Sequence, residues 1–384
     1  MSNSNNPRRV GWTYCGWARS LTSVRKKTLN PLLALLSAIT MGGCATAPLM
    51  PYTTETQPVV LVPVSQAGIR DERGRFREIF CRVLAKHGAA LPDDRPCDEA
   101  LVHVGTEPTG TGRPVDLGPS RRRLIAAVVP GIGWDCFSDW LDPKHSVAAH
   151  VRQFGYDQIT LNVDGLSSSA NNARQIRDSI MQSAFESKQP RLVLVGYSKG
   201  APDILEALVS YPEIRRRIAA VVSVAGTIGG SPLANDAKQS QLALLEHWPG
   251  ARCLPGDGGA VESLRPETRQ TWLAQHALPP DTPYYSLVTF PQPERISSVL
   301  KPSYRKLSRV DARNDSQVLF YDQLIPGSAL IGFLNADHWA LAVPIARSHP
   351  ILGSTLVNHN DFPREALLEA VLRMVEEDLA ATGK

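Results

Sequence analysis

One stretch limits the folds open to this chain more than any other. Arg191-Leu-Val-Leu-Val195 is an unbroken apolar run of strand length, and Gly196-Tyr-Ser-Lys-Gly200 follows it without a spacer. Ile204, Leu205, Leu208 and Val209 then recur at helical spacing until Tyr211-Pro212. A continuous apolar run marks a strand buried on both faces, as in a parallel sheet covered by helices. The change of period from strand to helix within five residues demands a sharp turn. Glycines on both sides of Ser198 leave room for it, and the turn lifts the serine hydroxyl above the sheet at a helix N-terminus, where negative charge is favoured.

The remaining pattern agrees. Leu124 to Val129, Tyr156 to Val163, Ile218 to Val224, Tyr284 to Phe290, Gln317 to Phe320 and Ala329 to Leu334 read as strands. Asp71 to His87 and Ala170 to Ser183 read as helices, the first with Phe76, Ile79, Phe80, Val83 and Leu84 on one stripe. A last helix opens at Asp361-Phe362-Pro363, with Asp as cap and Pro in the first turn. Such alternation predicts an α/β fold with a mostly parallel sheet. Residues 231 to 283 are too long for a plain connection and read as an inserted cap or lid. Leu242, Leu244, Leu245, Trp248, Trp272 and Leu273 make that segment moderately apolar, which suits either an apolar acyl chain or packing of the cap on the domain. Pro58 to Val64 is a further possible strand, and whether residues 58 to 120 form a lobe or complete the sheet is open at this stage.

With strand, Gly-x-Ser-x-Gly and helix in that order, the chain resembles a bacterial serine hydrolase of the α/β-hydrolase superfamily, on the esterase and lipase side, from about Arg123 to Leu379. Val129-Pro-Gly-Ile-Gly133 resembles the family's oxyanion loop, with Pro-Gly where His-Gly is usual. Ala225-Gly-Thr-Ile-Gly-Gly-Ser-Pro-Leu-Ala234 resembles a Gly-Thr-Pro-x-x-Gly-Ser segment of bacterial lipases. The resemblance implies Ser198 as nucleophile and an acid, then a histidine, later in the chain. It also implies the backbone N–H groups of Ile132 and Lys199 as oxyanion donors.

Five histidines follow Ser198: His247, His276, His338, His349 and His359. His338 trails the Ala329–Leu334 strand by one short loop, at the sheet edge where Ser198 emerges, and is the expected base. Asn314-Asp-Ser-Gln-Val318 resembles the Asn-Asp-Gly-x-Val segment that carries the acid in bacterial lipases, which favours Asp315. Asp322, Glu294 and Asp337 are the rivals, Asp322 first among them. The Lys199 charge beside the serine leaves room for anionic substrates. An amidase, peptidase or acyltransferase on the same fold, or a binding protein that kept the turn, are the alternatives.

Composition narrows the setting. Hydrophobic residues make up 43% of the chain and charged residues 20%, near the globular average. The net charge of +4 comes from six bases and no acid in residues 1 to 43; without them the balance is slightly negative and offers no footprint for nucleic acid. Those residues read as a leader: Arg25-Lys-Lys27 is basic, Pro31 to Met41 is apolar, and Gly42-Gly43 precede Cys44. The order resembles a lipoprotein signal, although Met41 stands where Leu is usual and the true start could be Val24. It implies lipidation at Cys44, a tether over 44 to 57, and an enzyme domain over 58 to 384. Ala45 after the cysteine implies an outer-membrane anchor. Of six cysteines, Cys81, Cys97, Cys136 and Cys253 then remain, with three possible pairings; the sixteen-residue spacing favours Cys81–Cys97. No pattern calls for a metal, nucleotide or redox cofactor, and the sequence leaves the oligomeric state open.

Overall fold

The computed structural model describes residues 68–137, 147–182, 192–237 and 256–383. The leader, the tether, Pro58–Val64, Cys44, His247 and Cys253 lie outside them. Seven strands form one parallel sheet: β1 (Arg70–Asp71), β2 (Ile125–Val129), β3 (Asp157–Thr160), β4 (Leu192–Tyr197), β5 (Ile218–Val224), β6 (Tyr284–Thr289) and β7 (Ala329–Leu334). Their spatial order is β1-β7-β6-β5-β4-β2-β3. The central strands β4 and β5 pair in register from Val193 opposite Ala220 to Tyr197 opposite Val224.

Alternation along these strands sorts side chains onto two faces. Ala126, Val193, Val195, Ala220 and Val222 join a core with helix α1 (Arg73–His87) and the C-terminal helix α6 (Arg364–Ala381). Ile125, Ala127, Leu192, Leu194 and Val221 join a second core with α2 (Ser169–Gln182) and α3 (Gly200–Ser210). Because β2, β4 and β5 contribute to both cores, each reads in sequence as an unbroken apolar run. Leu273 of α4 (Pro266–Gln275) lies in the second core and Trp272 packs against it, so these two residues attach their segment to the domain.

Three details differ from the sequence reading, and the favoured cysteine pairing agrees with it. Helix α1 begins at Arg73 because Arg70–Asp71 pair with Ala329–Leu330 as an edge strand, so the residues from 68 onward complete the sheet. Cys81 and Cys97 form a disulfide that joins α1 to the segment after it. Gln317 to Phe320 is not a strand. Its amides at Gln317 and Val318 turn inward to a carboxylate, leaving a single antiparallel bridge between Asn314 and Leu319. Asp361 does not cap α6; its carboxylate accepts from Arg95 and Arg295, each at 2.8 Å.

Candidate active site

The turn after β4 is built by steric necessity. Ser198 has φ +52°, the left-handed region that costs a non-glycine residue free energy unless its surroundings enforce it. They do: the Ser198 N–H donates to Val224 O, and its carbonyl accepts from Ala201 and Thr227. A Cβ on Gly196 would lie 2.4 Å from Ala201 Cα, and one on Gly200 would lie 2.0 Å from Val129 O. Neither position tolerates a side chain, which explains both glycines of the motif. Gly131 presses the β2 loop against the same residue, since a Cβ there would sit 2.9 Å from Ser198 Cβ. Ile132 follows Gly131 in that loop. Among the described residues, no hydrogen bond engages the N–H of Ile132 or of Lys199.

His338 opens the short helix α5 (His338–Ala342) directly after β7. Its Nε2 lies 2.9 Å from Ser198 Oγ, and its Nδ1 lies 2.7 Å from Asp315 Oδ2. A carboxylate only accepts, so Nδ1 carries the proton and Nε2 is free to accept from the serine. Tyr197 secures the ring from the elbow side: its hydroxyl donates to the His338 carbonyl and its ring lies 5.2 Å from the imidazole. Burial, with the nearby Asp315 charge, holds the Tyr197 phenol well above its ordinary pKa, so it remains a donor.

Asp315 is fully buried, with Ser198 and His338 only 5% and 4% exposed. Its Oδ1 accepts from the N–H of Gln317 at 2.9 Å and of Val318 at 2.7 Å. Its Oδ2 accepts from Thr289 Oγ1 at 2.5 Å as well as from His338. Its carbonyl takes the His338 N–H at 3.0 Å. The rival acids are placed elsewhere. Asp337 caps α5 through the Ala340 N–H and also accepts from Ser297 N–H. Burial pushes Asp337 up, although those two N–H bonds pull it down. Asp322 lies against Gly229, and burial raises its carboxyl to about 7. Glu294 is exposed. His276 stacks on Trp272 and bonds its carbonyl.

Lys199 offers no free charge. Its Nζ lies 2.8 Å from both oxygens of Asp203, and both side chains are about 1% exposed. Asn172 Nδ2 donates to the same carboxylate at 2.7 Å. A buried pair so closed has nothing left for an anionic substrate, which removes that expectation.

Sequence reasoning missed Thr289, Gln323 and Tyr197. Thr289 had one visible signal, a polar residue ending an apolar strand at the edge where Ser198 emerges. It also missed His87, His150 and Glu369, whose donor atoms lie within 4.8 Å of one another across α1, the short helix Ala148–Arg152 and α6. Glu369 Oε2 already receives His150 Nε2 at 2.6 Å and His87 Nδ1 at 3.0 Å, while Oε1 receives Arg373 Nε at 2.7 Å. A metal ion there would have to displace those bonds and face the Arg373 guanidinium.

No protein-family model and no curated protein matches the chain. Among solved structures, it is 43% identical to the metagenomic carboxyl esterase MGS0156, over 84% of this chain and 97% of that one, with a TM-score of 0.76. It is 19% identical to the mature Bacillus licheniformis lipase BlEst2, over 63% and 95%, with a TM-score of 0.48. It is 11% identical to the Staphylococcus hyicus lipase, over 70% and 100%, with a TM-score of 0.47. With the first of these likenesses over 84% of its length, and with a parallel sheet of this order, the chain belongs to the carboxyl esterase family of α/β-hydrolases.

Proposed function

We propose that this carboxyl esterase is a serine hydrolase that cleaves carboxylic esters through an acyl-enzyme on Ser198, with His338 as base and Asp315 as acid. The observation that carries the reading is the continuous chain of contacts from Ser198 Oγ through both nitrogens of His338 to Asp315, at 2.9 and 2.7 Å. Ser198 Oγ attacks the ester carbonyl and its proton passes to His338 Nε2. Asp315 holds the Nδ1 proton and stabilises the imidazolium. The N–H groups of Ile132 and Lys199 receive the oxyanion. Collapse breaks the carbon–oxygen bond to the alcohol, which leaves with the proton from His338. Water repeats the sequence on the acyl-enzyme and releases the acid.

The test is turnover of p-nitrophenyl esters from acetate to palmitate by residues 45 to 384, alongside Ser198→Ala. Turnover that vanishes in the variant is expected, and the chain-length optimum then divides esterase from lipase. Turnover that survives would name the wrong nucleophile. The lipid anchor belongs to the same proposal and rests on the Gly42-Gly43-Cys44 signal. It places the enzyme at the outer membrane, and the check is incorporation of labelled palmitate that is lost in Cys44→Ala.

A further inference from the structure

We infer that Thr289 is a positioning residue of this esterase, its hydroxyl fixing the oxygen of Asp315 that faces His338; this rests on the role proposed above for that pair. Asp315 is fully buried, so its carboxylate is held by protein groups instead of bulk solvent. The two oxygens are held by different means. Oδ1 is pinned by two backbone amides of its own turn, Gln317 and Val318. Oδ2 receives Thr289 Oγ1 at 2.5 Å, His338 Nδ1 at 2.7 Å and, at the long distance of 3.5 Å, Gln323 Nε2. Rotation about the carboxylate axis is therefore opposed on the histidine side chiefly by the Thr289 hydroxyl at the end of β6, since a bond of 3.5 Å is weak.

The direction of that hydroxyl follows from its neighbours. Gln323 lies beside it, with Oε1 2.7 Å from Thr289 N and 2.9 Å from Thr289 Oγ1. The Thr289 N–H needs an acceptor, which fixes the oxygen of the Gln323 amide on that side. Gln323 Nε2 then donates to the Thr289 carbonyl at 3.2 Å. The threonine has one proton and two acceptors, and the carboxylate is both closer and charged, so the proton goes to Asp315. Gln323 locks the threonine backbone at both of its polar groups, and the threonine in turn orients the carboxylate. The other titratable groups that face Asp315 are Asp337 and Tyr197, neither of which bonds its carboxylate.

One consequence separates this role from simple packing. Without the hydroxyl, Oδ2 loses its orienting donor, and the imidazole meets a less fixed carboxylate. A hydrogen bond to a charged group of this kind corresponds to a rate loss of about ten- to a hundredfold.

The experiment compares Thr289→Val and Thr289→Ser with the wild type on p-nitrophenyl butyrate across pH 5 to 9, with melting temperatures alongside. The isosteric valine is expected to lower kcat about tenfold or more with KM within about twofold. The serine, which keeps the hydroxyl, is expected to restore kcat. A Thr289→Val enzyme with kcat within twofold would overturn the inference. So would a serine variant as impaired as the valine. Should valine not fold, Thr289→Cys, of similar size and a weak donor, carries the same reading. Ser198→Ala in parallel keeps the two levels apart: activity surviving there overturns the triad, whereas activity lost there with an indifferent Thr289 overturns only this inference.

Discussion

Two regions of this protein set a histidine against a buried carboxylate, and they differ in what the far side of the ring meets. In one, Asp315 holds His338 at 2.7 Å, and the other ring nitrogen lies 2.9 Å from Ser198 Oγ. In the other, Glu369 holds His150 at 2.6 Å and His87 at 3.0 Å, and among the described residues no hydroxyl or thiol bonds the far nitrogen of either ring. Their surroundings differ as well. Arg373 neutralises Glu369 and donates further to the carbonyls of Asp116, Leu117 and Gly118. His87 stacks on Phe154 at 4.7 Å. The second cluster thus knits α1, the helix Ala148–Arg152 and α6 together. A buried histidine–carboxylate pair is therefore not by itself a catalytic device. The difference lies in the backbone at φ +52° that delivers a serine to the free nitrogen, a position held only because Gly196 and Gly200 permit the turn.

The comparison breaks most sharply at the two acids. Asp315→Asn is expected to lower kcat by about four orders of magnitude, because the amide would favour the wrong imidazole tautomer; steady-state kinetics measures it. Glu369→Gln should leave kcat unchanged and cost about 3 kcal/mol of stability, since it leaves the buried Arg373 charge uncompensated. Its pH dependence has a definite sign. Burial pushes the Glu369 carboxyl up, but bonds from His150 and Arg373 bring it below its ordinary 4.5. A depressed carboxyl stabilises the fold above the unfolded value, and that contribution fades as pH falls through the folded one. The melting-temperature gap between wild type and Glu369→Gln should accordingly be full at pH 7 and shrink below pH 4.5.

Asp322 offers the opposite case, a half-buried carboxyl with no histidine. Burial lifts it from 3.8 to about 7, so its ionisation costs stability progressively as pH rises between those values. Asp322→Asn should retain wild-type turnover and raise stability by on the order of 2 kcal/mol at pH 8. The gain should vanish near pH 4, as thermal unfolding across that range would record. The smallest effect is expected at Tyr197→Phe, which removes only the hydroxyl that holds the His338 carbonyl. A severalfold loss of kcat with little change in KM is the expected outcome, worth about 1 kcal/mol.

What the sequence disclosed follows the range of the interactions involved. The turn around Ser198 is local: five residues, a buried strand before them and a helix after. Ile218–Val224 and Ala329–Leu334 are legible to the residue because both faces of those strands are buried. Gln317 to Phe320 misled because its apolar residues are buried as expected, while the amides between them serve Asp315 instead of a neighbouring strand. Asp361 misled in the same way, since Arg95 and Arg295 outcompete the helix terminus for its carboxylate. Asp315 itself was accessible through a resembling motif and its 23-residue separation from His338. Thr289 and Glu369 were not, because each meets its partners across tens to hundreds of residues, and nothing local marks a threonine at a strand end or a glutamate in a helix.

The proposed nucleophile is the serine at the strained turn, activated by His338. Intact-mass measurement after reaction with a fluorophosphonate is the sharpest test, comparing the wild type with Ser198→Ala and His338→Ala. A single phosphonyl adduct is expected on the wild type, located at Ser198, with none on Ser198→Ala and labelling slowed by orders of magnitude on His338→Ala. An adduct that persists in Ser198→Ala, or labelling in His338→Ala at the wild-type rate, would contradict it.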